Sequence, residues 1–323
     1  MANCTKEYAA ELIEKFGQRE YERIQDIEFP VQQEKPIELE KCVNEVMSLI
    51  TSTKSTKTIS PTIKRFHVSM IKANREGRLS PYDGWNLMKM SKDAFLKFYE
   101  NRLRCSDWFK EKKGDNMKYL HEGYVPEFIY GIGLTTSGKY PVVTYFKPHL
   151  AKYLVEKYLG SYDTVFDPFS GYSGRMMGVV CTGKNYIGRD LCLDSVKESN
   201  EIWGFMKPLV EKKLNKDICC DVDVADACTS EGKYDCLLTC SPYGNIEQWE
   251  GVPSNGYSCD KWIDICLNNY VCDKYVFVTD DKIKKYKDYI VENLENTSHW
   301  GSNVEHVVII TKEQRDNIIN DIL

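Results

Sequence analysis

The chain has 323 residues, 42% hydrophobic and 28% charged, enough for one large domain or two ordinary ones with a sizeable core. No apolar run approaches the roughly 20 residues that a membrane helix needs. The net charge of −5 conceals an asymmetry: residues 51–118 carry 16 basic and 7 acidic side chains, while 1–50 and 119–323 are both net acidic. A basic segment inside an acidic protein suits a polyanion partner held by one region, and equally suits a solvated helical surface. The start, MANCTKEYAAELIEKFGQRE, is charged throughout and has no signal-peptide core. With it, 13 cysteines without a C-x-x-C pair and five scattered histidines point to thiols in a reducing cytoplasm and to no structural metal.

In chain order, Leu12, Ile13 and Phe16 mark a first helix, and Ile37, Leu39, Val43, Val46, Met47 and Ile50 a second at helical spacing. The stretch TSTKSTKTISPT (51–62) is the most linker-like of the chain. After it, SPTIKRFHVSMIKANREG and SKDAFLKFYENRLRCSDWFKEKK read as two basic amphipathic helices, with Ser80-Pro81 starting another between them. Residues 1–118 are therefore expected to form a helical, partly basic region. Its aromatics, among them Phe66, Trp85, Phe95, Phe98 and Tyr99, are expected in a small helical core, and Arg102 and Arg104 are its phosphate-facing candidates.

From about residue 119 short β-branched runs alternate with helical segments. DTVFD, NYIGRD, CCDVDVADA, YDCLLTC, KYVFVTD and VEHVVIIT read as strands. GRMMGVVCTG, LDSVKESNEIWGFMKPLVEKKL, SCDKWIDICLNNYV and KIKKYKDYIVENLENTS read as helices. This alternation predicts an α/β fold over 119–323: a doubly wound, mostly parallel sheet with ligand sites at the carboxyl ends of strands one to four.

The first strand ends in FDPFSGYSGRMMG, where Gly171 and Gly174 permit a tight turn and a ligand close to the backbone. The Gly-Lys-Ser/Thr ending of a phosphate loop is missing. Asp167 at the strand end suits an amino-bearing ligand better than a pyrophosphate. Asp190 closes the second strand 23 residues later, where a carboxylate takes both hydroxyls of a ribose. Asp226, beside Ala227 at the end of the third strand, is placed to meet an adenine edge.

Together VFDPFSGYSGRMMG, YIGRD, DVADA and YDCLLTCSPY resemble the ordered motifs of S-adenosylmethionine-dependent DNA amino-methyltransferases, which methylate the exocyclic nitrogen of adenine or cytosine. The resemblance covers residues 119–311, and GKYPVVTYFKPHLAKYLVEKYL (138–159) is similar to the family's leading motif. It implies a Rossmann-like methyltransferase domain, S-adenosylmethionine as cofactor, and double-stranded DNA with a flipped-out base as partner. It assigns Phe146, Lys147, Asp167, Phe169, Gly171, Gly174, Asp190, Asp226 and Ala227 to the cofactor. Two departures stand out. Ser173 replaces the second glycine of the turn, and the aligned tetrad is Cys240-Ser241-Pro242-Tyr243, where the family has Asp, Asn or Ser followed by Pro-Pro-Tyr/Phe.

In the family the tetrad hydrogen-bonds the amine protons and stacks its aromatic on the flipped base. Tyr243 fits the stacking position. Cys240 is a weak acceptor, so the polar part falls to Ser241 and the main chain around 240–241. Asn245, Glu247 and Trp249 follow as base-edge and flanking-nucleotide contacts. Adenine and cytosine both remain open as targets. An RNA amine as target and a fold that binds without turnover are the rival readings. A nucleophilic Cys240 attacking a pyrimidine ring is less consistent, because the Pro-Cys order is absent.

Overall fold

The computed structural model describes residues 6–26, 37–52, 60–75, 78–105, 143, 145–240, 242, 247–248, 256–280, 282–294 and 305–320. The chain divides into two compact units, Met1–Pro36 with Ile71–Val143, and Ile37–Met70 with Thr144–Leu323. This division differs from the expected boundary after residue 118 at two places, with Ile37–Met70 grouped with the sheet and 119–143 with the first unit.

The first unit contains α1 (Lys6–Gln25), α4 (Pro81–Met90) and α5 (Lys92–Cys105). Ala9, Leu12, Phe16, Ile24, Trp85, Met88, Phe95, Phe98 and Tyr99 are all buried, and Phe95 stacks on Tyr99 with ring centroids 5.7 Å apart. These aromatics are core, as expected, whereas Phe66 belongs to the other unit, half-buried with its ring 5.5 Å from that of Phe205. Ser80 caps α4 as expected, its Oγ accepting the Asp83 N–H at 3.0 Å with Pro81 at the first helical position.

The second unit begins with α2 (Leu39–Thr51) and α3 (Pro61–Phe66), which pack against α8 (Leu193–Leu214). The single helix expected over 60–77 breaks at His67 and continues as a 3₁₀ turn, Val68–Lys72. The break has a tertiary cause: the Ser69 N–H donates to Glu198 Oε1 of α8 at 2.8 Å instead of entering the helix ladder. Lys152 of α6 (Pro148–Tyr158) is buried and donates to the carbonyls of Leu49, Ile50 and Ser52, so one ammonium caps the carboxyl end of α2.

The sheet strands are β1 (Thr164–Asp167), β2 (Asn185–Asp190), β3 (Cys220–Val224), β4 (Gly232–Cys240), β5 (Tyr270–Thr279), β6 (Ile290–Leu294) and β7 (Glu305–Thr311). They pair in the order β3-β2-β1-β4-β5-β7-β6, with β7 antiparallel to both its neighbours and the other pairs parallel. Helices α6, α7 (Gly174–Val180), α8, α9 (Cys259–Asn269) and α10 (Lys312–Asn320) complete a doubly wound, Rossmann-like α/β sheet. Phe166, Leu237, Ile263, Leu267, Tyr275, Phe277, Val308 and Ile310 form one buried cluster between the sheet and its covering helices. The order reverses between β1 and β4, so the carboxyl ends of those strands open the crevice where such sheets bind ligands.

The helix expected over 282–298 is replaced by a 3₁₀ turn (Lys287–Tyr289) and the edge strand β6. β-Branched Ile290 and Val291 favour an extended edge. Glu292 then accepts from Tyr153, Lys157 and Tyr158 of α6, at 2.7, 3.0 and 2.7 Å, which pins that edge. Among the described residues no helix is long and apolar enough to cross a membrane, and no histidine, cysteine or acid cluster has the geometry of a metal site.

Helix α7 lies on α6 through glycine. A Cβ on Gly178 would sit 2.5 Å from the Ala151 Cβ and from the Pro148 carbonyl oxygen, whereas one on exposed Gly204 of α8 would meet nothing within 4 Å. Gly178→Ala is expected to destabilise the protein by about 1–3 kcal/mol through overpacking, and Gly204→Ala to stabilise it by about 0.5–1 kcal/mol. Urea unfolding of the two variants checks the opposite signs.

Candidate functional site

Asp167 ends β1 fully buried, and a buried carboxylate is tolerated only with partners. It has four. Oδ1 accepts from Thr239 Oγ1 at 2.6 Å and from the Phe169 N–H at 3.2 Å; Oδ2 accepts from Arg175 Nε at 2.7 Å and from the Tyr186 hydroxyl at 2.8 Å. These donors come from β4, the turn, α7 and β2. They fill the roughly four acceptor sites of the carboxylate. The expectation that Asp167 presents itself to an amino-bearing ligand is corrected accordingly: its acceptors are taken from within the protein.

Arg175 is the residue that sequence reasoning missed. It lies buried in α7, and its second amine donates to the Phe169 carbonyl while its guanidinium stands 5.2 Å from the Phe146 ring centroid. Burial works against its charge, but the fields of Asp167, Cys240 and Tyr186 outweigh that, and its pKa is raised. A lone arginine in the apolar helix GRMMGVV, eight residues after a buried acid, is the signal that was available.

The turn between β1 and α7 follows from its glycines. Gly171 takes φ +55°, in the left-handed region. Gly174 has no room for a side chain, since a Cβ would lie 1.7 Å from the Phe146 carbonyl oxygen. Ser173 occupies the left-handed region too, at φ 63°, where a non-glycine residue pays about 1–2 kcal/mol. Phe146 and Lys147 precede α6, with Lys147 as its capping residue and its carbonyl accepting from Leu150 and Ala151. Phe169 packs edge-on against Trp262, with centroids 4.9 Å apart.

Asp190, at the tip of β2, is half-buried and differs from Asp167. Oδ2 accepts the Gly171 N–H at 2.8 Å and Oδ1 the Cys192 N–H at 2.9 Å, one donor per oxygen among the described residues. Each oxygen keeps an acceptor site for a ligand hydroxyl. Burial raises its pKa above the usual carboxylate value, against the lowering effect of those two N–H groups. Asp226, after β3, uses Oδ1 to accept the Cys228 N–H at 2.8 Å, and the Ala227 carbonyl accepts from Asn269 at 2.9 Å. Large apolar side chains stand exposed beside these tips, at Leu191, Leu193 and Val224.

Cys240 ends β4 opposite Val278 of β5, half-buried, and Pro242 is exposed. Ser241, Tyr243, Asn245 and Trp249 lie outside the described residues, and of Glu247 only the backbone is described, in the short strand Glu247–Gln248. Arg102 and Arg104 lie in α5, with side chains outside the description. The structure thus brings Asp167, Phe169, Gly171, Gly174, Asp190 and Phe146 into one corner, with Asp226 and Ala227 at the next strand tip. Thr239 next to Cys240 joins that corner to the end of β4.

No protein-family model matches the sequence, and no curated protein does. Solved structures resemble part of it. One is a provisionally assigned RNA methyltransferase from Pyrococcus horikoshii, at 12% identity and TM-score 0.37 over 51% of this chain and 83% of that one. The 23S rRNA methyltransferase ErmE is similar at 13% identity and TM-score 0.35, over 50% and 67%. The N-terminal domain of EvdMO1 with SAH bound is similar at 10% identity and TM-score 0.31, over 51% and 80%. At these identities and scores the likeness carries no argument of its own.

Arg175→Met leaves the Asp167 charge buried with its cation removed, and is expected to cost about 3–5 kcal/mol of stability. Thr239→Val removes one neutral donor and is expected to cost about 1–3 kcal/mol. Chemical denaturation of both variants measures the ranking, which reverses if Asp167 is held mainly by its neutral partners.

Proposed function

We propose that this chain transfers a methyl group from S-adenosylmethionine to the exocyclic amine of adenine or cytosine in DNA. The observation that carries the proposal is the hydrogen bond from Thr239 to Asp167 at 2.6 Å, which ties the glycine turn to the end of β4, where the Cys240-Ser241-Pro242-Tyr243 tetrad begins in sequence. On this reading the turn serves the donor and the tetrad the acceptor, at strand ends where such sheets open a crevice.

The residues fit the cofactor unequally. Asp190, with one acceptor site left on each oxygen, suits a ribose diol, and its grip on the Gly171 N–H aligns the turn beneath it. Leu191 and Val224 offer exposed apolar surface to a purine, and Asp226 is assigned to its polar edge. Asp167 acts indirectly, by holding the turn. S-adenosylmethionine supplies, when bound, a methyl group activated by a sulfonium. At the corner, Ser241 and the main chain around 240–241 accept the amine protons and turn the nitrogen lone pair out of the ring plane, while Tyr243 stacks on the flipped base. Arg102, Arg104, Asn245, Glu247 and Trp249 are assigned to the nucleic acid.

Two experiments test this reading. S-adenosylhomocysteine affinity should weaken as the pH falls through a midpoint above the ordinary aspartate value of 3.8, because protonation removes acceptor strength from Asp190. Asp190→Asn should bind weakly at every pH, without that acid-side transition; calorimetric titration across pH measures both, and an unaltered Asp190→Asn affinity would remove Asp190 from the site. Tritiated methyl transfer to duplex DNA and to RNA, followed by digestion to nucleosides, identifies the substrate. Label is expected at N6 of adenine or N4 of cytosine in DNA, and Tyr243→Ala should lose it while retaining cofactor binding. Label in RNA alone would move the activity to RNA. Label at carbon 5 of cytosine would make Cys240, within the field of Arg175, a nucleophile. Binding of S-adenosylhomocysteine with no labelled base would leave a binding protein.

A further inference from the structure

Ser173 stands where the related turn carries glycine, and its left-handed φ of 63° is a bend that glycine enters freely. A serine at the start of a helix ordinarily accepts a backbone N–H of the first turn, but Ser173 makes no such bond to α7. Its hydroxyl points elsewhere, 2.7 Å from His67 Nε2 and 2.7 Å from Ser199 Oγ. His67 is itself buried, with Nδ1 3.0 Å from Glu198 Oε2. A carboxylate only accepts, so Nδ1 carries its proton towards Glu198. Glu198 is held in turn by the Ser69 N–H at 2.8 Å and by the Ser69 hydroxyl, and Tyr172 meets the imidazole edge-on at 5.4 Å. The order serine, histidine, glutamate matches that of an activated nucleophile. Ser173, however, is 0% exposed and its hydroxyl lies between two protein partners, so no acyl group can approach it.

We infer that His67, backed by Glu198, is a positioning residue that holds the cofactor turn in the bend a glycine would adopt unaided. The segment 60–70, outside the sheet in sequence, therefore supplies part of the turn's geometry. His67 is buried and acts through Ser173. The inference rests on the reading of this turn as the S-adenosylmethionine site, and its test separates the two.

The test uses His67→Leu, similar in bulk and without nitrogen, alone and with Ser173→Gly. Glu198 keeps both Ser69 donors in these variants, so no charge is stranded. Amide hydrogen exchange over 169–177 should quicken roughly tenfold in His67→Leu, the factor that a left-handed backbone penalty of this size corresponds to. Exchange in β5 should stay unchanged. S-adenosylhomocysteine affinity should drop by a similar factor. Adding Ser173→Gly should restore both, because the bend no longer needs the clamp; a residue that merely fills space would show no such rescue. Unchanged exchange in His67→Leu, or a double variant no better than the single one, overturns the inference. So does a His67→Leu protein that fails to fold with or without Ser173→Gly. If the full-length wild-type protein binds no S-adenosylhomocysteine, the methyl-transfer reading falls, while the exchange data still decide the clamp.

Discussion

The burial of one negative charge organises the crevice of this protein. Asp167 lies at the end of β1 with no exposure to water, where an ionised carboxylate is stable only if every lone pair finds a donor. Its four donors arrive from β2, β4, α7 and the turn that follows it. Each is thereby held at a known place relative to the others. The glycine turn, the tip of β4 and the first residues of α7 are not independent features that happen to adjoin; they share a carboxylate.

This arrangement explains why the turn is both tight and chemically mixed. Gly174 and Gly178 lie one helical turn apart on the face of α7 that meets α6, and neither has space for a methyl group. The close approach brings Phe146 over Arg175, so the guanidinium is packed against a ring on one side and paired with a carboxylate on the other. Ser173 sits between the two glycines of the turn in a conformation it does not favour, and polar partners from outside the sheet surround it. The neighbouring segment is tied down by the same means, with the Lys152 ammonium capping α2 through three carbonyls.

The two acids at the first two strand tips illustrate how similar residues acquire different parts. Both end a β-strand and both are followed by a turn. Asp167 points inward among four donors, whereas Asp190 meets one backbone N–H per oxygen and stays half-buried. The difference is one of remaining acceptor capacity, not of residue type or spacing. The aromatics of the helical unit divide in a similar way: Trp85, Phe95, Phe98 and Tyr99 are consumed by the core, so their interleaving with lysine and arginine reflects amphipathic packing.

What the amino-acid sequence determined by itself is what rests on local chemistry. The alternation of β-branched runs with amphipathic segments specified a doubly wound sheet, Ser80-Pro81 started a helix, and the glycines of FDPFSGYSG marked the turn. Period, capping and glycine freedom act within a few residues, and so they can be read along the chain. Tertiary structure alone decided the rest. It turned an expected helix into the edge strand β6, because Glu292 has partners on α6 more than 130 residues away. It broke the helix at His67, because Glu198 draws in both the imidazole and Ser69 across a separation of about the same length. Such pairings are settled by which buried polar groups meet in three dimensions, and no spacing in the chain records that.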